Sequence, residues 1–249
     1  KIENYKKVLT TNLSIFKNYD IVINCSINTN YVNKKYKEIN DFDLKIVKKI
    51  KNLDCKFIFL STRKIYKNKD NIKEESILKP NCNYSRNKLI TERKLVKYMK
   101  NKIIILRVAN LIGNKVDIKN NRRVHYTFVD HFFDNIKKNI LIENNDLYKD
   151  FLSINQFTKI VAQIIKKDLN GIYNVSIGKK IYLNKLLKWL NFYNKNQIIV
   201  IKSPNYYNKD CFFLNNSKLI KKINLKIDTI QLEKDCKNIS KIFFKKKKK

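Results

Sequence analysis

Three short, almost unbroken apolar runs constrain this chain more than any other feature. They are Ile21 to Cys25, Lys56 to Leu60 and Ile103 to Val108. A strand buried on both faces reads as a continuous apolar run, and such strands belong to parallel sheets covered by helices. The stretches between them carry the helical period. Ile39, Phe42, Ile46, Val47 and Ile50 follow one another at helical separations, which predicts a helix over 34–52 with one apolar face. Tyr84 to Met99 predicts a second helix, with Leu89, Ile90, Leu95 and Val96 as its apolar positions, reached through a polar loop over 63–83 and Pro80. Strand, helix, strand, helix, strand at these lengths means βαβ units, so the expected class is α/β, a doubly wound parallel sheet.

After Gly113 the pattern loosens. Helices are expected over 127–138, with Phe128, Phe132 and Phe133, over 156–167, and over 183–192, which carries Trp189; short strands are expected at 150–154, 172–175 and 198–201. There is no internal repeat and no Pro/Gly/Ser-rich linker. The expected organisation is a sheet domain over 1–113 and a mixed region over 114–249. Part of that region would return to the sheet and part would form a smaller substrate-binding lobe.

The chemistry concentrates in Tyr84-Ser85-Arg86-Asn87-Lys88, at the start of the second helix. Four residues are about one helical turn, so the phenol and the ammonium share a face. An ammonium beside a phenol favours the phenolate, whose free pKa is about 10. Upstream, the second apolar run ends in Ser61-Thr62. A hydroxyl, a phenol and a lysine are the parts of a proton-transfer site for carbonyl/alcohol chemistry. Tyr-x-x-x-Lys alone arises easily by chance in a lysine-rich chain, and the flanking segments are what give it meaning.

Those segments, in order, resemble the extended short-chain dehydrogenase/reductase superfamily, which includes the NAD-dependent nucleotide-sugar epimerases, dehydratases and reductases such as dTDP-4-dehydrorhamnose reductase. Asp20-Ile21-Val22-Ile23-Asn24-Cys25-Ser26 is similar to the family strand D-x-V-I-N-x-A. Phe57 to Thr62 with Ile65-Tyr66 is similar to its strand ending S-S/T-x-x-V-Y. Glu74, Pro80, Tyr84, Lys88 and Glu92 follow as in the family's E, P and Y-x-x-x-K segment. Leu106-Arg107-Val108-Ala109-Asn110-Leu111-Ile112-Gly113 resembles L-R-x-x-N-x-x-G. Asp150-Phe151-Leu152 resembles R-D-F-x-x-V, Gly171-Ile172-Tyr173-Asn174-Val175 resembles G-x-Y-N-V with Gly178 after it, and Leu214 to Leu219 resembles D-x-S-K-L.

The resemblance implies roles. Tyr84 would be the general acid/base and Lys88 would support it and hydrogen-bond the nicotinamide ribose. Thr62 would hold the substrate oxygen, with Ser61 as second choice. Asn24, Cys25 and Ser26 would lie under an NAD or NADP cofactor, which Ser61 would also contact, and Cys25 fits the plain core equally well. Asn110 and Lys149 would approach the substrate; Lys149 stands where the family often has arginine, which puts diphosphate clamping there in doubt because lysine cannot make the bidentate contact. Arg107 reads as structural. Arg122 and Arg123 lie in a loop that a diphosphate could approach, and they read as a solvated loop in preference to a diphosphate contact. The family's dehydratases commonly place an acid after the Ser/Thr; Arg63 follows Thr62 here, which favours an epimerase or reductase of a nucleotide-activated sugar. The implied partners are that substrate and, by analogy, a second copy in a homodimer.

One family segment has no counterpart in this sequence. The family opens with a strand, a Gly-rich turn and a helix whose N-terminus holds the cofactor pyrophosphate. The three glycines here are Gly113, Gly171 and Gly178. Two expectations follow: a piece of a longer reading frame, or a relative that keeps the fold as a non-catalytic binding module. The choice between NAD and NADP belongs to a second strand that the chain also does not display.

The formal net charge of +34 raises nucleic-acid binding. Arginine, the usual choice for bidentate phosphate and base contacts, occurs only at Arg63, Arg86, Arg93, Arg107, Arg122 and Arg123. Lysine, asparagine and isoleucine are enriched together along the whole chain, as a codon bias would do, so no specific nucleic-acid partner is expected, and Lys245 to Lys249 reads as a solvated tail. The five scattered cysteines contain no Cys-x-x-Cys pair, and neither His125 nor His131 has a ligand-like pattern, so neither a disulfide frame nor a metal site is expected. No apolar run reaches the length of a membrane span, and a cytoplasmic location is expected.

Overall fold

In the computed structural model, residues 13–113, 127–143, 147–202 and 211–245 are described. Among them the strands are β1 (Ile21–Ile23), β2 (Lys56–Thr62), β3 (Ile103–Val108), β4 (Asn110–Ile112), β5 (Ile140–Glu143), β6 (Tyr148–Lys149), β7 (Phe151–Ser153), β8 (Gly171–Val175), β9 (Ile181–Tyr182) and β10 (Ile199–Lys202). The α-helices are α1 (Thr29–Asn33), α2 (Phe42–Ile50), α3 (Asn83–Met99), α4 (Phe128–Lys137), α5 (Ile154–Lys166), α6 (Leu183–Leu190), α7 (Ser217–Ile223) and α8 (Thr229–Lys245). They form two compact units. One takes the chain up to Lys67, Glu74–Val108 and Ile164–Asn174; the other takes Asn68–Lys73, Ala109–Gln163 and the chain from Val175 on.

The first unit is built on a four-stranded sheet of order β1-β2-β3-β8. β1 lies parallel to β2, from Ile21 opposite Lys56 to Ile23 opposite Ile58, and β2 parallel to β3, from Phe57 opposite Ile103 to Thr62 opposite Val108. All six residues of β3 are buried, as a continuous apolar run requires. Alternation along the strands sends Phe57, Phe59, Ile103 and Ile105 to one face. There they form one core cluster with Leu44, Ile46, Val47 and Ile50 of α2 and Leu95 and Met99 of α3. Each large side chain so buried contributes about 1.5–3 kcal/mol.

Differences from the sequence reading have local causes. The helix expected from residue 34 starts only at Phe42, because Asp41 caps it: its Oδ1 accepts the Leu44 N–H at 2.9 Å. Before the cap, Glu38–Asn40 is a single 3-10 turn and Ile39 is 67 % exposed, off the apolar face altogether. Helix α1, capped by the Asn28 side chain, was not anticipated, since five residues carry too little period to read. On α3, Val96 is exposed. The buried face of that helix is instead half polar, with Ser85, Asn87, Lys88, Thr91 and Glu92 beside Leu89 and Leu95.

The second unit contains three two-stranded pairings: β4 with β7 and β5 with β10 are parallel, while β6 and β9 are antiparallel. The Phe133 ring of α4 stacks on Phe243 of α8 at 4.0 Å. Helix α8 was also unanticipated. Its buried Leu232, Cys236 and Ile239 keep the helical period, among Lys234, Lys237 and Lys241. Asp150, fully buried, organises this unit: Oδ1 accepts the Ile177 N–H at 3.2 Å, and Oδ2 accepts those of Gly178 at 3.1 Å and Leu214 at 3.0 Å. Burial pushes the carboxyl up to about 7, against these donors, which favour the charged form. Gly178 has φ +77°, and a Cβ there would come within 2.9 Å of Asn216 Oδ1.

Two substitutions test this arrangement in urea unfolding. Asp150→Asn turns an amide N–H₂ toward backbone donors and is expected to cost about 2 kcal/mol or more. Gly178→Ala is expected to cost about 1–3 kcal/mol, from left-handed backbone and contact with Asn216 together.

Candidate active site

The last residues of β2 set the site. Successive strand residues face opposite sides of a sheet, so Ser61 shares the face of Phe57 and Phe59, while Thr62 turns to the other. The Thr62 hydroxyl accepts the Lys64 N–H at 3.2 Å and so starts the 3-10 turn Arg63–Ile65. The Ser61 hydroxyl donates to Glu92 Oε1 of α3. Glu92 in turn meets Arg107 of β3, with Nη2 donating to Oε2 at 2.8 Å and Nε to Oε1 at 3.3 Å; the two residues are 3 % and 4 % exposed. Arg107 Nη1 donates to the Tyr66 hydroxyl at 2.8 Å and the Glu74 carbonyl at 2.7 Å. Tyr66 donates to Asn174 Oδ1 at 2.8 Å, and Glu74 Oε1 accepts the Asn174 N–H at 2.8 Å. One buried network therefore joins Ser61, Tyr66, Glu74, Glu92, Arg107 and Asn174.

Tyr84 stands half-buried in the first turn of α3, and Lys88 follows one turn later on the same face. Lys88 is 5 % exposed. Its ammonium lies 4.4 Å from the centre of the Phe59 ring and 5.6 Å from that of Tyr31, and Nζ donates to Asp43 Oδ2 at 3.5 Å. Asp43 Oδ1 accepts the Asn24 amide at 2.8 Å. Asn24 shapes the turn after β1: its Oδ1 accepts the Ser26 N–H at 3.0 Å and the Ser26 hydroxyl at 2.6 Å. Burial pushes the Asp43 carboxyl up, while the Lys88 ammonium and the Asn24 amide pull it down. Tyr31 donates or accepts with Thr91 at 2.7 Å; its phenol is pushed up by burial and then by the Asp41 charge, with the Asp43 and Tyr84 charges adding to the shift.

Asn24, Ser26 and Lys88, predicted from separate segments, are thus joined through Asp43, and Ser61 meets the same helix one turn beyond Lys88, at Glu92. Cys25 is exposed; partial burial, and then the Asp43 charge, push its thiol up. Asn110 and Lys149 belong to the other unit. There Asn110 begins β4, its N–H donating to the Asp150 carbonyl at 3.3 Å, and Lys149 pairs with Ile181 across β6 and β9. Arg122, Arg123 and His125 lie outside the described residues. The sequence reading missed Asp43 and Tyr31. The signal available was an acidic residue, Asp43, on the apolar face of α2 between Phe42 and Leu44.

An ammonium has three N–H donors, and Asp43 occupies one of those of Lys88. A buried cation with donor capacity to spare, beside a phenol and a turn of small residues, fits the ribose and nicotinamide end of a dinucleotide. Among the described residues no glycine precedes Gly113, so no Gly-rich pyrophosphate turn accompanies that end.

A parallel sheet of order β1-β2-β3-β8 with helices between its strands defines a Rossmann-type α/β fold. Residues 8–176 match the model of the NAD-dependent epimerase/dehydratase family, and the chain belongs to that family, whose cofactor is NAD. Comparison with curated protein sequences finds no match. Among solved structures, a UDP-N-acetylglucosamine 4-epimerase from Methanobrevibacter ruminantium M1, in complex with UDP-N-acetylmuramic acid, is similar at TM-score 0.74 and 20 % identity, over 96 % of this chain and 82 % of that one. RMD from Pseudomonas aeruginosa, complexed with NADPH, is similar at TM-score 0.73 and 16 % identity, over 95 % and 86 %. A UDP-glucuronic acid 4-epimerase from Bacillus cereus, in complex with NAD, is similar at 0.72 and 15 %, over 96 % and 79 %. At these identities the likeness establishes the fold.

Glu92→Gln leaves Arg107 buried without its counter-charge and is expected to lower stability by about 3–5 kcal/mol, read as a fall in the urea midpoint.

Proposed function

We propose that this chain carries the catalytic end of an NAD(P)-dependent epimerase or keto-reductase acting on a nucleotide-activated sugar. The observation that carries the reading is Lys88: a buried ammonium on the Tyr84 face of α3, with donors left over beyond Asp43. Tyr84 exchanges a proton with the sugar hydroxyl or keto oxygen. The Thr62 hydroxyl orients that oxygen. Lys88 stabilises the phenolate form that accepts the proton and holds the ribose. Ser61 supports the strand end through Glu92 rather than touching substrate. The Asn24, Cys25 and Ser26 turn lies along the cofactor. NAD or NADP, when bound, supplies the hydride acceptor and donor for the sugar carbon. Asn110 and Lys149 are taken as substrate-binding residues. The neighbours named for UDP-sugar epimerisation support this substrate class. Arg63, which follows Thr62 in place of an acid, favours epimerase or reductase over dehydratase.

The reading makes residues 1–113 the cofactor domain and 114–249 in part the substrate lobe. It takes the enzyme to be cytoplasmic and homodimeric, with no specific nucleic-acid partner. No described helix is long and apolar enough to cross a membrane. A second reading, a non-catalytic binding module, draws on the lack of a glycine before Gly113.

Tyr84→Phe decides between them. It removes one half-buried hydroxyl, so the thermal midpoint should hold. Turnover of UDP-sugars, followed by product chromatography with added NAD, should fall by about 10²-fold or more. Unchanged turnover refutes the proton-transfer role. Failure of the unaltered chain to bind either NADH or NADPH supports the binding-module reading.

A further inference from the structure

We propose that Asp43 is the positioning residue of the cofactor-facing groups, setting Lys88 with one carboxylate oxygen and the Asn24–Ser26 turn with the other. The inference rests on the reading of those groups as cofactor-binding.

Asp43 has no explanation in the packing of its own helix. Its neighbours Leu44, Ile46, Val47 and Ile50 fill the core, and an apolar residue would suit its 5 % exposed position better. Burying a carboxylate is unfavourable unless it is paired and hydrogen-bonded. Asp43 makes two such contacts, and each goes to a different functional segment: Lys88 on α3 at 3.5 Å, Asn24 after β1 at 2.8 Å. Its place in the first turn of α2 favours the negative charge.

The effect on Lys88 follows from what else surrounds it. Without Asp43 the ammonium keeps, among the described residues, the faces of Phe59 and Tyr31, which attract a cation but leave it free to slide. One carboxylate oxygen fixes its place over those rings. The effect on the turn runs through Asn24. The amide bound to Asp43 also donates to the Ser26 carbonyl at 3.1 Å, and the same side chain accepts from the Ser26 N–H and hydroxyl. Fixing Asn24 therefore fixes Ser26. Asp43 thus couples two cofactor-binding segments, and it bears on proton transfer through Lys88.

The test is a double-variant cycle on NADH binding, read by fluorescence titration and repeated with NADPH. Asp43→Asn keeps the side chain's shape and removes its charge. It should weaken binding by about ten- to a hundredfold, the worth of a charge-assisted hydrogen bond. In the Lys88→Met background the same change should cost less than about twofold, because the two residues act as a unit. Equal losses in both backgrounds, or no loss in either, overturn the positioning role. Absence of NADH and NADPH binding by the unaltered chain would instead overturn the cofactor reading beneath it. A cofactor-free readout separates the two cases. Amide hydrogen exchange of the Asn24–Ser26 turn should speed up severalfold in Asp43→Ala and stay unchanged in Lys88→Met; unchanged exchange in Asp43→Ala refutes the Asn24 arm.

Discussion

The ion pair between Arg107 and Glu92 is the contact on which the first unit depends. An arginine in a fully buried strand is tolerable only if its planar fork of donors is met on every side. Here Nε and Nη2 donate to Glu92, and Nη1 donates to the Tyr66 hydroxyl and the Glu74 carbonyl. Each partner comes from a different stretch of chain. The pair therefore holds β3 against α3, the segment after β2 and the β8 strand through Asn174. It also holds Ser61, and with it the end of the strand that presents Thr62.

Helix α3 serves two purposes along one face. Its C-terminal half places Leu95 and Met99 in the core, as any amphipathic helix would. Its N-terminal half buries Asn87, Lys88, Thr91 and Glu92 instead. Those polar groups are satisfied in turn. Asn87 donates to the Tyr31 and Lys34 carbonyls at 2.7 and 2.9 Å, and Thr91 donates to Asp41 at 2.6 Å. Such a network narrows the helix to one position, because every slip would orphan a buried donor. Tyr84 and Lys88 gain their fixed geometry from that rigidity.

Much of the fold was legible in the sequence where the period was long and uninterrupted. β3 appears at the expected residues, and α3 begins one residue earlier than expected, at Asn83. The elements that escaped notice were short or disguised. α1 has too few residues to show a period, and α8 hides its apolar positions among lysines. Ile39 and Val96 matched the helical spacing yet lie exposed, since spacing cannot tell an apolar face from an apolar residue that happens to fall near it. In the site, Thr62, Tyr84 and Lys88 stood out because a recurrent order of segments marks them. Asp43 did not, because its meaning lies in Asn24 and Lys88, which are far from it in the chain.

The sequence by itself determined the class of sheet, three of its strands and the helix bearing the phenol and the lysine. Those follow from local rules: side-chain periodicity and the burial of continuous apolar runs. Tertiary structure alone decided how the buried charges are matched. Glu92 belongs to Arg107 and Asp43 to Lys88, and Asp150 belongs to the backbone of Ile177, Gly178 and Leu214. Pairing of this kind depends on distances of a few ångströms between residues remote in sequence. The energy of a buried charge is set by the group beside it in space, and no window of sequence contains that information.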